Sequence, residues 1–471
     1  MTARPAPEAR TLGELRASGA RPRALREELR ANLVRKLKSG EPIFPGVVGY
    51  EESVIPAVEN ALLCGHDVIF LGERGQAKSR MIRSLVGLLD EWLPVVEGSE
   101  IHDDPFAPVS AYARALVAER GDATPVAWVH RDDRYGEKLA TPDVSIADLI
   151  GDVDPVKVAR GRTLADELTL HFGLIPRTNR GIFCINELPD LPEKVQVGLF
   201  NVLEERDFQV KGYRVRLPLD VLVVASANPE DYTSRGRIIT PLKDRYAAQI
   251  RTHYPKTREL ERAVLVQEAA LPAGDGVAVH VPPFMQEIVA EITLEARRSP
   301  DVSQSSGVSV RTSIANYETL VANALRRALR LGEREAVPRV SDLPALEPST
   351  LGKLEIEYTG RERKEGELFG ELVRRATKLV FDGHVALEAM ASVVDAFDQG
   401  WKVEVGPDAP AGEYLEGLDQ IPGLREGAAR LAGGDSPERM ASAIEFVLEG
   451  LHLSNRLNKT VREGRTRFGR A

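Results

Sequence analysis

Residues 66–80 read H-D-V-I-F-L-G-E-R-G-Q-A-K-S-R, and no other stretch carries as strong a chemical signal. A short apolar run, Val68–Leu71, leads into a loop with Gly72 and Gly75, and Lys78 and Ser79 follow. Glycines let backbone N–H groups turn inward, and the start of a helix adds the positive end of its dipole, so such a loop suits phosphate. Lys78 would meet the β/γ-phosphates of a nucleotide, and the Ser79 hydroxyl would ligate Mg2+. The expected cradle is Gly72, Glu73, Arg74, Gly75, Gln76, Ala77, Lys78, Ser79 and Arg80. The pattern for this chemistry is G-x-x-x-x-G-K-[ST], and Ala77 stands at its second glycine. Alanine costs little there if φ stays negative and more if the loop needs φ > 0. The plain alternative is an ordinary glycine-containing turn between a strand and a helix.

Companion residues argue against that alternative. Residues 181–187, G-I-F-C-I-N-E, read as a buried strand ending in a polar pair. In nucleotide hydrolases of this shape the pair is Asp-Glu: the aspartate holds the water shell of Mg2+ and the glutamate polarises the attacking water. Here Asn186 takes the aspartate position and Glu187 is intact. Asn186 can accept a hydrogen bond from a metal-bound water but brings no charge, so weaker metal affinity is expected, not its loss. A further strand, Val221–Ala225, runs into S-A-N-P and sets Asn228 at its C-terminal end, where sheet ligands bind. Arg245, within I-T-P-L-K-D-R-Y, is the candidate arginine finger for a neighbour's γ-phosphate, with Arg235 and Arg251 next in line. Arg311 opens a helix within S-S-G-V-S-V-R-T-S-I, from which it would reach back onto phosphates. Alone, each arginine is a surface charge; the reading rests on the order and spacing of the set.

The elements that must position these residues alternate. Between 46 and 255, apolar runs at Val68–Leu71, Ala127–Val129, Gly181–Ile185 and Val221–Ala225 are separated by helical stretches, including one from Met81 to Trp92. That pattern predicts a mostly parallel sheet buried on both faces. Residues 207–218, alternating around Gly212, predict a β-hairpin. Before the sheet, residues 1–44 are basic and helix-prone, with Leu25, Leu29, Leu33 and Leu37 forming a narrow stripe that suits a helix docked on the body. After Pro255 the pattern is helical, with a Pro-rich break at 338–348. The expected divisions are a basic arm (1–44), an α/β nucleotide-binding domain with inserts (45–255), a helical lid (256–345) and a helical C-terminal region (346–471). The last sixteen residues carry six basic side chains and suit a solvated tail.

Composition narrows the classes. The chain has 471 residues, 43% hydrophobic and 28% charged, which is globular. Its 62 Lys+Arg against 71 Asp+Glu give a net charge of −9, so no whole-protein basic footprint for nucleic acid exists. Cys64 and Cys184 cannot make a disulfide framework, which suits a reducing compartment. No apolar run approaches the roughly 18–20 residues of a membrane span, and a cytoplasmic location is expected. His102, Asp103, Asp104, His130, Asp132 and Asp133, in the stretch 95–145, include metal-ligand residue types, but solvated loop charge explains them as well.

The ordered set resembles the AAA+ ATPases, most closely the branch with magnesium chelatase subunit I and the MoxR-type ATPases, over about residues 45–345. F-P-G-V-V-G-Y-E-E (44–52) resembles the segment that packs on adenine, with Val47, Val48 and Gly49 as its contacts. Leu71–Ser79 resembles Walker A, and residues 186–205 resemble Walker B and its following helix. D-L-I-G-D-V-D-P (148–155) through residues 174–181 resembles the approach to Walker B, which carries an inserted helix-2 element in this branch. The resemblance implies an α/β P-loop fold with an all-α lid. It implies ATP and Mg2+ as cofactors, the latter held by Ser79 and Asn186. It makes Glu187 the catalytic carboxylate, Asn228 sensor 1, Arg245 the arginine finger and Arg311 sensor 2. It also implies a homo-oligomeric ring, most often a hexamer, working with a separate partner that bears a von Willebrand factor A domain.

Three functions compete. The first is a ring that hydrolyses ATP to remodel a partner protein or drive metal insertion. The second, suggested by Asn186, is an ATP-binding regulatory subunit with weak or no hydrolysis. The third is an enhancer-binding transcription activator, a class marked by a G-A-F-T-G-A loop that this sequence lacks.

Overall fold

A computed structural model describes residues 5–154, 156, 167–209, 216–228, 236–273, 276–303, 307–356, 365–416, 421–462 and 464–470. The chain forms two compact units, Met1–His253 and Tyr254–Ala471.

The first unit is built on five parallel strands: β1 (Val68–Leu71), β2 (Tyr135–Leu139), β3 (Gly181–Asn186), β4 (Val221–Ala227) and β5 (Ala248–Arg251). Their order across the sheet is β5-β1-β4-β3-β2. Side chains alternate along a strand, and both faces are covered. Phe70, Ile182, Cys184, Leu222 and Val224 enter one apolar core, while Ile69, Phe183, Ile185, Val223 and Ala225 enter the other. β3 and β4 are buried along their whole length, which is why they read as continuous apolar runs.

The edge strand was hidden from that reading. The apolar run Ala127–Val129 lies in a separate antiparallel ribbon, Val126–His130 against Trp92–Val96, and not in the main sheet. Y-G-E-K-L at 135–139 takes the edge instead. An edge strand is half solvated and so needs no apolar run. The helix expected from Met81 to Trp92 is also shorter: Lys78–Ser84, one 3-10 turn at Leu85–Leu88, then the ribbon strand.

The basic N-terminal stretch belongs to this unit. Helix α1 (Leu25–Ser39) buries Leu25, Leu29 and Leu33 in the core on the Phe70 face, while Leu37 stays 44% exposed. Glu28 of α1 accepts two hydrogen bonds from Arg134, at 2.8 and 2.7 Å, and neither side chain reaches solvent appreciably. Helix α2 (Val54–Leu63) and helix α3 (Lys78–Ser84) pack in the same core through Val58, Leu62, Met81 and Ile82. On the opposite side, strands Asp207–Gln209 and Arg216–Pro218 pair antiparallel, as expected of the hairpin; its Gly212 lies outside the described residues, as do Pro155 and Arg235.

The second unit is predominantly helical. Helices α4 (Pro283–Arg298), α5 (Val310–Leu331), α6 (Glu365–His384) and α7 (Pro437–Leu453) share one core, with Phe284 stacked on Phe446 at 4.3 Å between ring centroids. The Pro-rich segment at 338–348 is folded into this core through Leu343 and Leu346. The basic tail is not free. It forms a hairpin, β7 (Asn458–Arg462) and β8 (Arg465–Gly469), closed by β6 (Val403–Val405). Gly464, at φ +77°, makes the turn, and Phe468, 2% exposed, anchors the sheet. Its arginines find acids: Arg467 with Glu404 at 3.6 Å and Arg470 with Asp398 at 3.0 Å.

Candidate functional site

The loop after β1 is held by the end of the neighbouring strand and by the chain after β5. Gly72 N–H donates to Ala227 O of β4 at 3.1 Å, and Thr252 N–H donates to Leu71 O at 2.8 Å. A Cβ on Gly72 would lie 1.9 Å from Thr252 Oγ1 and 2.2 Å from Gln76 Oε1, so this position has no room for a side chain as it stands. Thr252 Oγ1 donates to Gln76 Oε1 at 2.6 Å, which fixes the loop's middle. The Tyr50 hydroxyl lies 3.0 Å from Gln76 O and 2.7 Å from His253 O, and burial pushes its pKa up to about 12. The segment with Val47, Val48 and Gly49, all part-buried, thus runs directly into a residue tied to the loop.

Gly75 and Ala77 both take positive φ, +77° and +55°. The costlier of the two cases foreseen for Ala77 is therefore the real one: a non-glycine residue in the left-handed region costs roughly 1–2 kcal/mol. Lys78 begins α3 and is buried. Its ammonium donates to Gly72 O and, at 2.8 Å, to Glu73 O, so the charge is held inside the loop. Ser79 and Arg80 are exposed beside it.

Three strands bring the acidic side together. Cys184 and Asn186 share a face of β3, and Glu137 of β2 pairs opposite Cys184. Ser226 falls on the same face of β4 as Val224. Asn186, 9% exposed, donates to Glu137 through Nδ2 and accepts from Ser226 Oγ at 3.1 Å. Glu187 follows at φ +55°, with its N–H donating to Ser226 Oγ at 3.1 Å. A non-glycine residue held in this region is strained, and such strain collects at functional sites. Asn228 is 1% exposed, and its carboxamide oxygen has no hydrogen-bond partner among the described residues. Arg83 of α3 makes two hydrogen bonds to Glu137, at 2.9 and 3.0 Å, and chiefly for that reason holds its carboxyl below the usual range.

The arginines lie in other settings. Arg245 ends the helix Thr240–Arg245, pairs with Glu204, donates to Pro241 O at 2.7 Å and lies over the Phe200 ring at 4.2 Å. Arg251 ends β5. Arg311 is exposed in the first turn of α5, which Ser309 caps. It belongs to the second unit.

The histidines and aspartates of the 95–145 stretch do local work. Asp103 is fully buried and accepts from Val109 N, Ser110 N, Ser99 Oγ and Ser110 Oγ, while Asp104 pairs with Arg180 at 3.5 Å. Among the described residues, no three His, Cys, Asp or Glu side chains form a metal cluster.

Glu137, Ser226, Thr252 and Tyr50 were not singled out from the sequence. For Ser226 the signal was present, two residues before Asn228 in S-A-N. For Glu137 it was a lone acid in a strand with no apolar run.

The residues present fit a nucleotide with Mg2+: a loop with no room for a side chain at Gly72, a lysine inside it, an exposed serine after it, and an Asn228 carboxamide oxygen with no partner among the described residues. The sigma-54 interaction domain family matches residues 164–244. Magnesium-chelatase subunit ChlI-1 of Arabidopsis thaliana is 26% identical over 246 residues, which cover 50% of this chain and 53% of that protein. The ChlI subunit of Chlamydomonas reinhardtii is 28% identical over 233 residues, covering 46% and 51%. The chain thus spans about half the length of these relatives. Among solved structures, a complex of the magnesium chelatase subunits BchI and BchD shows 20% identity and a TM-score of 0.36, covering 67% of this chain and 97% of that one. Among the described residues, no helix is long and apolar enough to cross a membrane. The parallel sheet and the loop after its first strand accompany sequence likenesses to magnesium chelatase subunit I and, over residues 164–244, to the sigma-54 interaction domain, and together they support an AAA+ fold of the subunit I kind.

Proposed function

We propose that the chain binds ATP with Mg2+, hydrolyses it, and works in the cytoplasm as a subunit of a homo-oligomeric ring, most often six-membered. The ring would drive remodelling of a separate partner, of the von Willebrand factor A kind, or metal insertion through it. The observation that carries this reading is Lys78: a buried ammonium at the start of α3, satisfied by the carbonyls of its own loop. A buried cation must be paired, and a phosphate offers Lys78 a stronger partner than a carbonyl.

In this reading Val47, Val48 and Gly49 lie against adenine, and Gly72–Arg80 surround the phosphates. Ser79 and Asn186 hold Mg2+, which when bound would neutralise charge on the transferred phosphoryl group. Glu187 takes a proton from the attacking water, and Asn228 orients that water. Arg245 serves the neighbouring subunit once it leaves Glu204, and residues 256–345 form the lid that carries Arg311. Asn186 favours the second reading, a regulatory subunit that binds ATP with little turnover. The activator reading has the family match at 164–244 behind it but lacks the G-A-F-T-G-A loop.

Nucleotide titration of Lys78→Ala tests the core. Loss of a charge-assisted contact should weaken binding by about 1.5–3 kcal/mol, roughly 10- to 150-fold. Unchanged affinity removes the loop from the site. The ring is tested by mixing Arg245→Ala with Lys78→Ala subunits. Each alone should be inactive, and mixed rings should regain part of the activity; mixed rings with no recovery would rule out Arg245 as a finger acting between subunits.

A further inference from the structure

Asn186 leaves the metal side of the site without the carboxylate its motif carries, but not without a carboxylate. Glu137, one strand over, accepts a hydrogen bond from Asn186 Nδ2. The register explains the meeting: Glu137 pairs with Cys184, and Asn186 is the next residue on that face. The other Asn186 atom, Oδ1, accepts from Ser226 Oγ at 3.1 Å, so the carboxamide is held at both ends and its nitrogen is turned to Glu137. Arg83 and Tyr135 secure the acid, with Tyr135 Oη donating to Glu137 Oε2 at 2.8 Å. Arg83 stands five residues after Lys78 on the helix that opens at the phosphate loop, so the acid is tied to the cradle itself.

An aspartate at 186 would set two carboxylates in contact, and like charges at that range cannot both ionise freely. Asparagine keeps the shape and turns the clash into a hydrogen bond. The pair therefore places its one carboxylate on the neighbouring strand, where Arg83 offsets part of the charge. We propose that Glu137 supplies the negative charge of the Mg2+ site that Asn186 lacks, acting on the water shell of the ion. This rests on the ATP–Mg2+ reading above.

The test measures affinity for a non-hydrolysable ATP analogue with excess Mg2+ and with chelator, by calorimetry. The ratio of the two is the gain due to Mg2+. Glu137→Gln should cut that gain at least tenfold and leave affinity in chelator within about twofold. Asn186→Asp added to Glu137→Gln returns a carboxylate to the motif position and should restore most of the gain. Arg83→Ala keeps the acid and frees it, so the gain should hold or rise; it also remains readable should Glu137→Gln fail to fold, and a tenfold fall there overturns the proposal. An unchanged gain in Glu137→Gln, or equal losses with and without Mg2+, makes Glu137 a clamp for Asn186 and nothing more. A parent chain that binds no nucleotide in either condition sinks the nucleotide reading instead, which separates the two failures.

Discussion

The phosphate loop and the end of β3 each depart from their motif by one residue, and the molecule absorbs the two departures differently. At Ala77 the change falls on the backbone. The loop keeps its left-handed turn at φ +55°, and the alanine bears the strain. At Asn186 the change falls on a side chain. The backbone is an ordinary buried strand, and the missing charge stands next door on Glu137. A backbone requirement cannot be moved to another residue, because the N–H groups that face a phosphate belong to the loop itself. A charge can be moved, because only its position in space matters. The first departure therefore costs stability, and the second moves the negative charge to the neighbouring strand.

The comparison can be sharpened by three measurements. The largest effect should come from Glu187→Gln, which leaves both departures in place. It should bind ATP like the parent but lose turnover by about 100-fold or more, the scale of a lost general base. Parental turnover in this variant would mean that another group activates the water. A parent with no Mg2+-dependent hydrolysis at all would favour the regulatory reading.

Next is Ala77→Gly. Relief of left-handed strain should outweigh the extra freedom of an unfolded glycine, for a net gain of about 0.5–1 kcal/mol in denaturant unfolding. A loss of stability would show that the loop does not take this conformation in solution. The same substitution at a position with negative φ would have the opposite sign.

The smallest effect concerns pH. His102 is largely buried, and burial holds its pKa below the ordinary histidine value. A base with a lowered folded pKa contributes stability above its unfolded pKa, and that contribution is lost as pH falls through the folded value. Stability should therefore drop on acidification below about 6.5, the unperturbed value. His102 sits at φ +51°, where asparagine is tolerated best among the polar residues. His102→Asn should flatten that slope, read as thermal midpoints across pH 5–8.

Much of the first unit was legible. β1, β3 and β4 are buried on both faces, so each reads as an apolar run, and the loop residues between Gly72 and Ser79 are contiguous. Edge strands were not legible: β2 and β5 face solvent on one side, and their sequences lack the run. The same reason hid Glu137, which matters only through a strand pairing that no local spacing reveals. The tail does not read as folded because its charges outnumber its two apolar anchors, Leu457 and Phe468, both buried. Asn228 and Ser226 were within reach because a buried strand ending in polar residues marks the C-terminal edge of a parallel sheet.

The pair between Glu28 and Arg134 bears on how the chain can be trimmed. A shorter version begun at residue 45 would look natural, since the residues before it are basic and helical and the recognisable motifs come after. Such a cut removes Glu28 and leaves the Arg134 guanidinium with the Arg180 carbonyl, at 2.9 and 2.6 Å, as its remaining partner among the described residues. A single substitution that removes Glu28 and keeps the helix would leave that charge buried and cost about 3–5 kcal/mol, a large share of what a domain has to spare. The cut would also bare the apolar surface that Leu25, Leu29 and Leu33 cover. The working boundary for a minimal folded fragment therefore lies before Leu25, and the helix that looks like an appendage is a wall of the first unit.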